Sequence, residues 1–108
     1  MKKHTFKVGF HRGNKRVWFQ GGHLTLASFE VAAPYTVTIT DTYIILALTS
    51  YAEVDAPIRK VSKKPSKSGP VPVIDLNSKK VSQFFGEATQ CNVEFGNGWI
   101  LIKTGAAA

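Results

Sequence analysis

Two stretches of this chain concentrate basic side chains at spacings suited to gripping phosphates. "HRGNKR", residues 11 to 16, holds Arg12, Lys15 and Arg16 around a Gly13-Asn14 pair. "RKVSKKPSK", residues 59 to 67, holds Arg59, Lys60, Lys63, Lys64 and Lys67, and no acid follows it until Asp75. Lys and Arg in such clusters contact phosphate oxygens, which yields affinity and salt dependence but little reading of sequence. Base reading would need Arg16, Asn14 or Gln20 to reach base edges. Trp18 and His23 have flat faces on which bases could stack, but burial habits place Trp18 in the core and His23 at the surface.

Other chemistry finds little support. His4, His11 and His23 do not combine with Cys91 at any zinc-like spacing, so no metal is expected. The acids Glu30, Asp41, Glu53, Asp55, Asp75, Glu87 and Glu94 are scattered. No nucleophile, base and orienting group stand together, so no catalytic residue is assigned and the chain is read as a non-enzyme without a cofactor. "GNG" at residues 96 to 98 lacks the following helix and lysine of a phosphate loop, and a hairpin turn explains it.

The chain has 108 residues, which is enough for one compact core. Its 44% apolar and 19% charged composition is that of a globular protein. Lys and Arg outnumber Asp and Glu 14 to 7, for a net charge of +7. The long-range field therefore favours a polyanion, either nucleic acid or an acidic protein surface. Cys91 has no intramolecular partner, which points to a reducing compartment and a core position. No apolar run approaches the roughly 18 residues of a membrane helix, and "MKKHTFKVGFHRG" has no apolar leader core. A cytoplasmic protein with no membrane contact is expected. The final "GAAA" has no periodicity and is left out of fold reasoning.

These side chains must be positioned by strands. In "TFKVGF", Phe6, Val8 and Phe10 alternate with polar or small residues, and "VWFQ" reads as a return strand, so residues 5 to 20 predict a hairpin with a basic tip. Leu24, Ala27 and Phe29 predict a short helix. "YTVTIT" and "YIILAL" predict a second hairpin around "DT". Residues 49 to 57 are an acidic connection. "IRKVS" reads as a strand and "KKPSKSGP" as a loop. "VPVIDL" reads as a strand whose Pro72 implies an edge or a strand start. "NSKKVSQFFG" predicts a short helix capped by Asn77 or Ser78 and stopped by Gly86. "CNVEFGNGWILIKT" predicts a third hairpin about Asn97-Gly98.

Trp18 to Thr49 aligns without gaps on Ile74 to Gly105, an offset of 56 residues. Phe29 meets Phe85, Ala32 meets Ala88, Val37 meets Val93 and Ile44 meets Ile100, and apolar positions agree through the following hairpin. The expected fold is mostly β with short helices, one domain over residues 1 to 108 made of two β-α-β-β repeats, about 5–49 and 58–105. If the repeats pair about a pseudo-twofold axis, their basic tips emerge on one face, an arrangement that a duplex accepts.

"KRVWFQGGHLTLASFEVAAPYTVTI" resembles the SymE-type branch of the AbrB/MazE swapped-hairpin family: a strand running into Gly21, then Leu24, Ala27 and Phe29, then an extended segment from Tyr35. The likeness covers roughly residues 5 to 48, and "VIDLNSKKVSQFF" keeps its pattern. Family members usually carry Gly just before the Phe position and a Pro-Gly or Gly-Thr turn after it, whereas this chain has Ser28 and "EVAAP". The resemblance implies an AbrB-like swapped-hairpin barrel, normally built by two chains and here by the two halves of one. It also implies DNA binding through Arg12, Lys15 and Arg16, to which the repeat adds Lys63, Lys64 and Lys67. The SymE branch is associated with toxin-like action on RNA, so RNA stays open.

The first expectation is a small basic nucleic-acid-binding protein, with duplex DNA favoured, serving as a regulator or accessory factor of a bacterium or mobile element. The second is a phage or mobile-element inhibitor that blocks a host defence or nucleic-acid enzyme by protein contact. A monomer acting as a pseudo-dimer and a homodimer both fit.

Overall fold

The computed structural model describes residues 2–49 and 58–104, so most of the acidic connection and the terminal "GAAA" lie outside the described residues. Alternation along the chain becomes inside and outside. In β3 (Asn14–Gln20), Val17 and Phe19 are fully buried while Trp18 and Gln20 face outward. In β5 (Ile44–Leu48), Ile44 and Leu46 are buried, as are Ile100 and Ile102 in β10 (Trp99–Thr104). Each such aliphatic contributes about 1.5–3 kcal/mol of hydrophobic stabilisation on leaving water. Together with Leu24, Phe29, Ile74, Leu76, Val81 and Val93 they form one continuous apolar core, and among the described residues no polar or charged residue is buried.

Residues 5 to 20 differ from the single hairpin expected of them. β1 (Lys2–Lys7) pairs antiparallel with β9 (Gln90–Gly96), whereas β2 (Gly9–His11) pairs with the start of β3. The chain changes sheets at Val8, a buried residue whose amide donates to the Thr89 carbonyl at 2.9 Å. Phe6, Val8 and Phe10 keep one period on both sides of this corner, so the pattern does not mark it. The turn is Arg12-Gly13, one residue earlier than Gly13-Asn14. Arg12 and Gly13 take φ of 52° and 85°, the paired positive angles of a primed hairpin turn.

After α1 (Gly22–Leu26), β4 (Pro34–Ile39) and β5 form the hairpin expected from residue 35 onward. Its turn is held by Thr40, whose hydroxyl accepts from the amides of Thr42 and Tyr43. β6 (Ile58–Lys60) pairs with β4, and β7 (Ser62–Lys64) pairs with β8 (Val71–Leu76). Lys63 and Lys64, expected in a loop, therefore belong to a strand. Pro72 sits second in β8, opposite Lys63 and just beyond the β3 ladder, so its missing N–H interrupts no pairing with β3. α2 (Lys79–Phe85) starts at Ser78, whose hydroxyl accepts from Val81, and ends at Gly86. β9 and β10 close around Asn97-Gly98 as the sequence predicts.

One sheet has the order β1-β9-β10-β5-β4-β6 and the other β2-β3-β8-β7. Every strand pair among the described residues is antiparallel. The β3–β8 ladder is centred between Trp18 and Phe19 on one strand and between Ile74 and Asp75 on the other. In the β5–β10 ladder Ile45 faces Leu101. Ile74 follows Trp18, and Leu101 follows Ile45, by the same 56 residues that align the sequence on itself. The corner at Val8 has its counterpart at Val61, also buried, whose amide donates to the Ala33 carbonyl at 3.0 Å.

Candidate nucleic-acid interface

The basic residues divide by what holds them. Arg16 stands on the outer face of β3, and its guanidinium donates from Nε and Nη2 to the two carboxylate oxygens of Asp75, at 2.9 and 3.1 Å. It also lies 4.5 Å from the centre of the Trp18 ring. Asp75 is opposite Trp18 in the β3–β8 ladder, so this ion pair ties the two halves of the sequence together. The sequence could not pair Arg16 with a residue 59 positions away. Trp18, expected in the core, is 37% exposed, and its indole N–H donates to Gln20 Oε1 at 2.8 Å.

Lys15 is half-buried beneath the same hairpin. Its Nζ donates to the Ala88 carbonyl at 3.1 Å and stands 4.9 Å from the Phe10 ring centre, and its amide donates to Ser82 Oγ. Lys15 and Arg16 are thus committed to contacts within the chain, while Arg12 is exposed at the turn. Arg59 and Lys60 lie on β6, an edge of the six-stranded sheet, and not on the tip of the second basic hairpin. Arg59 is opposite Tyr35 and hydrogen-bonds its side chain. Burial raises the Tyr35 phenol above its ordinary range, and the Arg59 charge offsets part of that rise. Lys63 and Lys64 lie on β7, and Lys67 lies in the turn that follows.

The two basic tips come from the beginnings of β3 and β8. Because these strands run antiparallel, the tips stand at opposite ends of the four-stranded sheet. Asn14 and Val71 are eight ladder positions apart, roughly 26 Å at the usual rise of a strand. Arg12 and Lys67 continue outward from these points.

His23 is not a simple surface residue. It stacks on Phe95 at 5.1 Å and lies 4.5 Å from His4, within a ring cluster that includes Phe6 and Phe19. Cys91 occupies the core position expected of it, and burial pushes its thiol up to about 11. Among the described residues no three His, Cys, Asp or Glu side chains gather as they would around a metal ion. No helix among the described residues is long and apolar enough to cross a membrane. Lys79 and Lys80 are two further exposed cations that charge clustering did not single out, since they read as the solvent face of a helix. No family model, curated protein or solved structure matches the chain.

Proposed function

We propose that this protein binds nucleic acid, with duplex DNA the favoured form and RNA a second substrate class, through phosphate contacts from its two basic hairpin tips and the neighbouring edge strand. The single observation that carries the reading is the placement of Arg12 and of Lys63, Lys64 and Lys67 at opposite ends of one antiparallel sheet. Contacts separated by more than about 26 Å approach the spacing of one duplex turn, roughly 34 Å. A twofold relation between them would match the local twofold of a duplex.

Three features support an AbrB-like, internally duplicated, swapped arrangement. The β3–β8 and β5–β10 ladders, each of which joins equivalent strands of the two halves, are both registered on the 56-residue offset. β1 of the first half pairs with β9 of the second, and β6 of the second pairs with β4 of the first, which is an exchange of strands. Ser28 and Ala32 take φ of 69° and 68°, the glycine-favouring region, where the resembled family usually carries glycine. On this reading one chain supplies what two chains supply in that family, as a cytoplasmic regulator or accessory factor of a bacterium or mobile element.

Binding is tested by fluorescence anisotropy of a labelled duplex over a salt series. Each phosphate contact contributes about 0.9 to the slope of log affinity against log salt. Lys63, Lys64 and Lys67 changed to Ala should flatten the slope by up to about 2.7. Arg12→Asn, which removes one charge and tolerates the positive φ of the turn, should flatten it by up to about 0.9. Absence of binding to duplex or RNA at low salt refutes the reading.

The second reading, inhibition of a host enzyme by contact with an acidic protein surface, is favoured by Phe10 and Leu26, which are 69% and 71% exposed. A partner retained from a bacterial lysate after nuclease treatment supports it.

A further inference from the structure

The 56-residue offset places β4, β6 and α2 in one half where β9, β1 and α1 stand in the other, and the two places are filled differently. Against β9, His23 of α1 stacks on Phe95, and Phe6 and His4 close the space, the buried Nε2 of His4 having no hydrogen-bond partner. The counterparts of Phe95, Phe6 and His23 are Ile39, Arg59 and Lys79. The result against β4 is an open cavity of about 440 Å³ lined by Val37, Ile39, Arg59, Ser78, Lys79 and Lys80. Three cations surround an apolar floor, and among the described residues no carboxylate lines it. Asp41 enters only in the adjoining cavity beyond Lys80. Ser78 is occupied with its own helix, which leaves the cations as the ligand-facing groups.

We infer that this groove holds phosphate of a nucleic-acid strand as a contact separate from the hairpin tips, with the apolar floor meeting sugar or base. The inference rests on the nucleic-acid reading above. Three exposed cations line one groove, and a phosphodiester strand carries the complementary charge at regular spacing. Arg59 is already oriented by Tyr35, so less side-chain freedom is lost when it takes up a phosphate oxygen. The groove borders the β6 edge, whose chain continues through Val61 into Lys63 and Lys64, so one strand of nucleic acid could run from the groove toward the second tip. The counterpart against β9 is filled by the rings of His4, Phe6, His23 and Phe95.

The experiment compares the intact chain with Lys79→Gln/Lys80→Gln and with a Lys103→Gln control on β10, using the same labelled duplex and a labelled single-stranded 12-mer. Amide chemical shifts of Val37, Ile39 and Lys79 are followed during titration with the 12-mer and, separately, with polyglutamate. The expected result is a salt slope lower by about 1.4 on the single strand or about 1.8 on the duplex in the double variant. The control should be unchanged, with shifts at Val37 and Ile39 on adding the 12-mer. An unchanged slope in the double variant, while the Lys63, Lys64 and Lys67 variant still flattens, overturns the groove and leaves the tip reading intact. Loss of all oligonucleotide binding by the intact chain removes both. Shifts with polyglutamate and none with the 12-mer overturn the inference in favour of an acidic peptide.

Discussion

Removing Arg16 should cost stability and leave the electrostatics of the proposed nucleic-acid binding almost unchanged, because its charge is already paired with Asp75. The pair is bidentate, and both side chains keep about a quarter of their surface exposed, 27% and 25%. An exposed ion pair contributes about 0.2–1 kcal/mol, whereas a hydrogen bond to a charged group in a drier setting contributes about 1.5–3 kcal/mol. Partial exposure and two-pronged geometry place the coupling between these, at about 1–2 kcal/mol. The assay is a double-mutant cycle of Arg16→Met, Asp75→Asn and their combination by urea unfolding, with m-values compared so that changes in the unfolded state are recognised. Each single variant should lose more than the coupling predicts for an isolated bond, since each leaves a partly buried partner unpaired. Arg16→Met also loses the contact over Trp18. The coupling should shrink in 1 M salt. A coupling below about 0.3 kcal/mol refutes the reasoning. So does an Arg16→Met variant that folds as stably as the parent while flattening the DNA salt slope, because the guanidinium would then be serving the ligand.

Ala32→Gly should stabilise the chain by about 0.5–1 kcal/mol. The left-handed conformation costs a Cβ residue about 1–2 kcal/mol, and part of that is returned through the freer unfolded chain. A loss in urea midpoint would mean that the positive φ is not strained. Gly96→Ala should destabilise by about 1–3 kcal/mol, because a Cβ there would run into the Trp99 indole across the turn. Adding Trp99→Val should recover much of the loss, and no recovery would place the cost elsewhere. Cys91 has its thiol raised by burial from an ordinary value near 9 to about 11. The folded state therefore holds its proton more tightly, so its contribution is complete below pH 9 and is lost as pH rises toward 11. The slope is about 1.4 kcal/mol per pH unit within that window. Cys91→Ala should flatten stability against pH there, and equal slopes in the two proteins would contradict it.

What the sequence made legible was local. The alternation of Tyr35, Val37 and Ile39 against threonines, and of Cys91, Val93 and Phe95 against Asn92 and Glu94, has one period and one buried face, so these hairpins could be read directly. The Ser78 cap and Gly86 stop did the same for α2. The sheet change at Val8 could not be read, because its cause is a hydrogen bond to Thr89 and its side-chain pattern is continuous. The roles of Lys15 and Arg16 were hidden for the same reason: Ala88 and Asp75 are remote in sequence, and a basic turn looks alike whether its charges are spent or free. Lys79 and Lys80 gained meaning only when α2 was set against β4. The 56-residue offset was legible as an alignment of apolar positions, and the registers of the β3–β8 and β5–β10 ladders, which no sequence displays, are compatible with it.

Among the described residues, three of the four edge strands carry cationic side chains: Lys3 and Lys7 on β1, Arg59 and Lys60 on β6, and Lys63 and Lys64 on β7. An unpaired edge is a template for a further strand, and rows of lysine keep two copies from joining edge to edge. The charges that suit a polyanion therefore also keep the protein dispersed. Neutralising them all at once exchanges one question for another, because the resulting protein can polymerise through its bare edges. High salt, by screening the same repulsion, should be the condition in which self-association first shows.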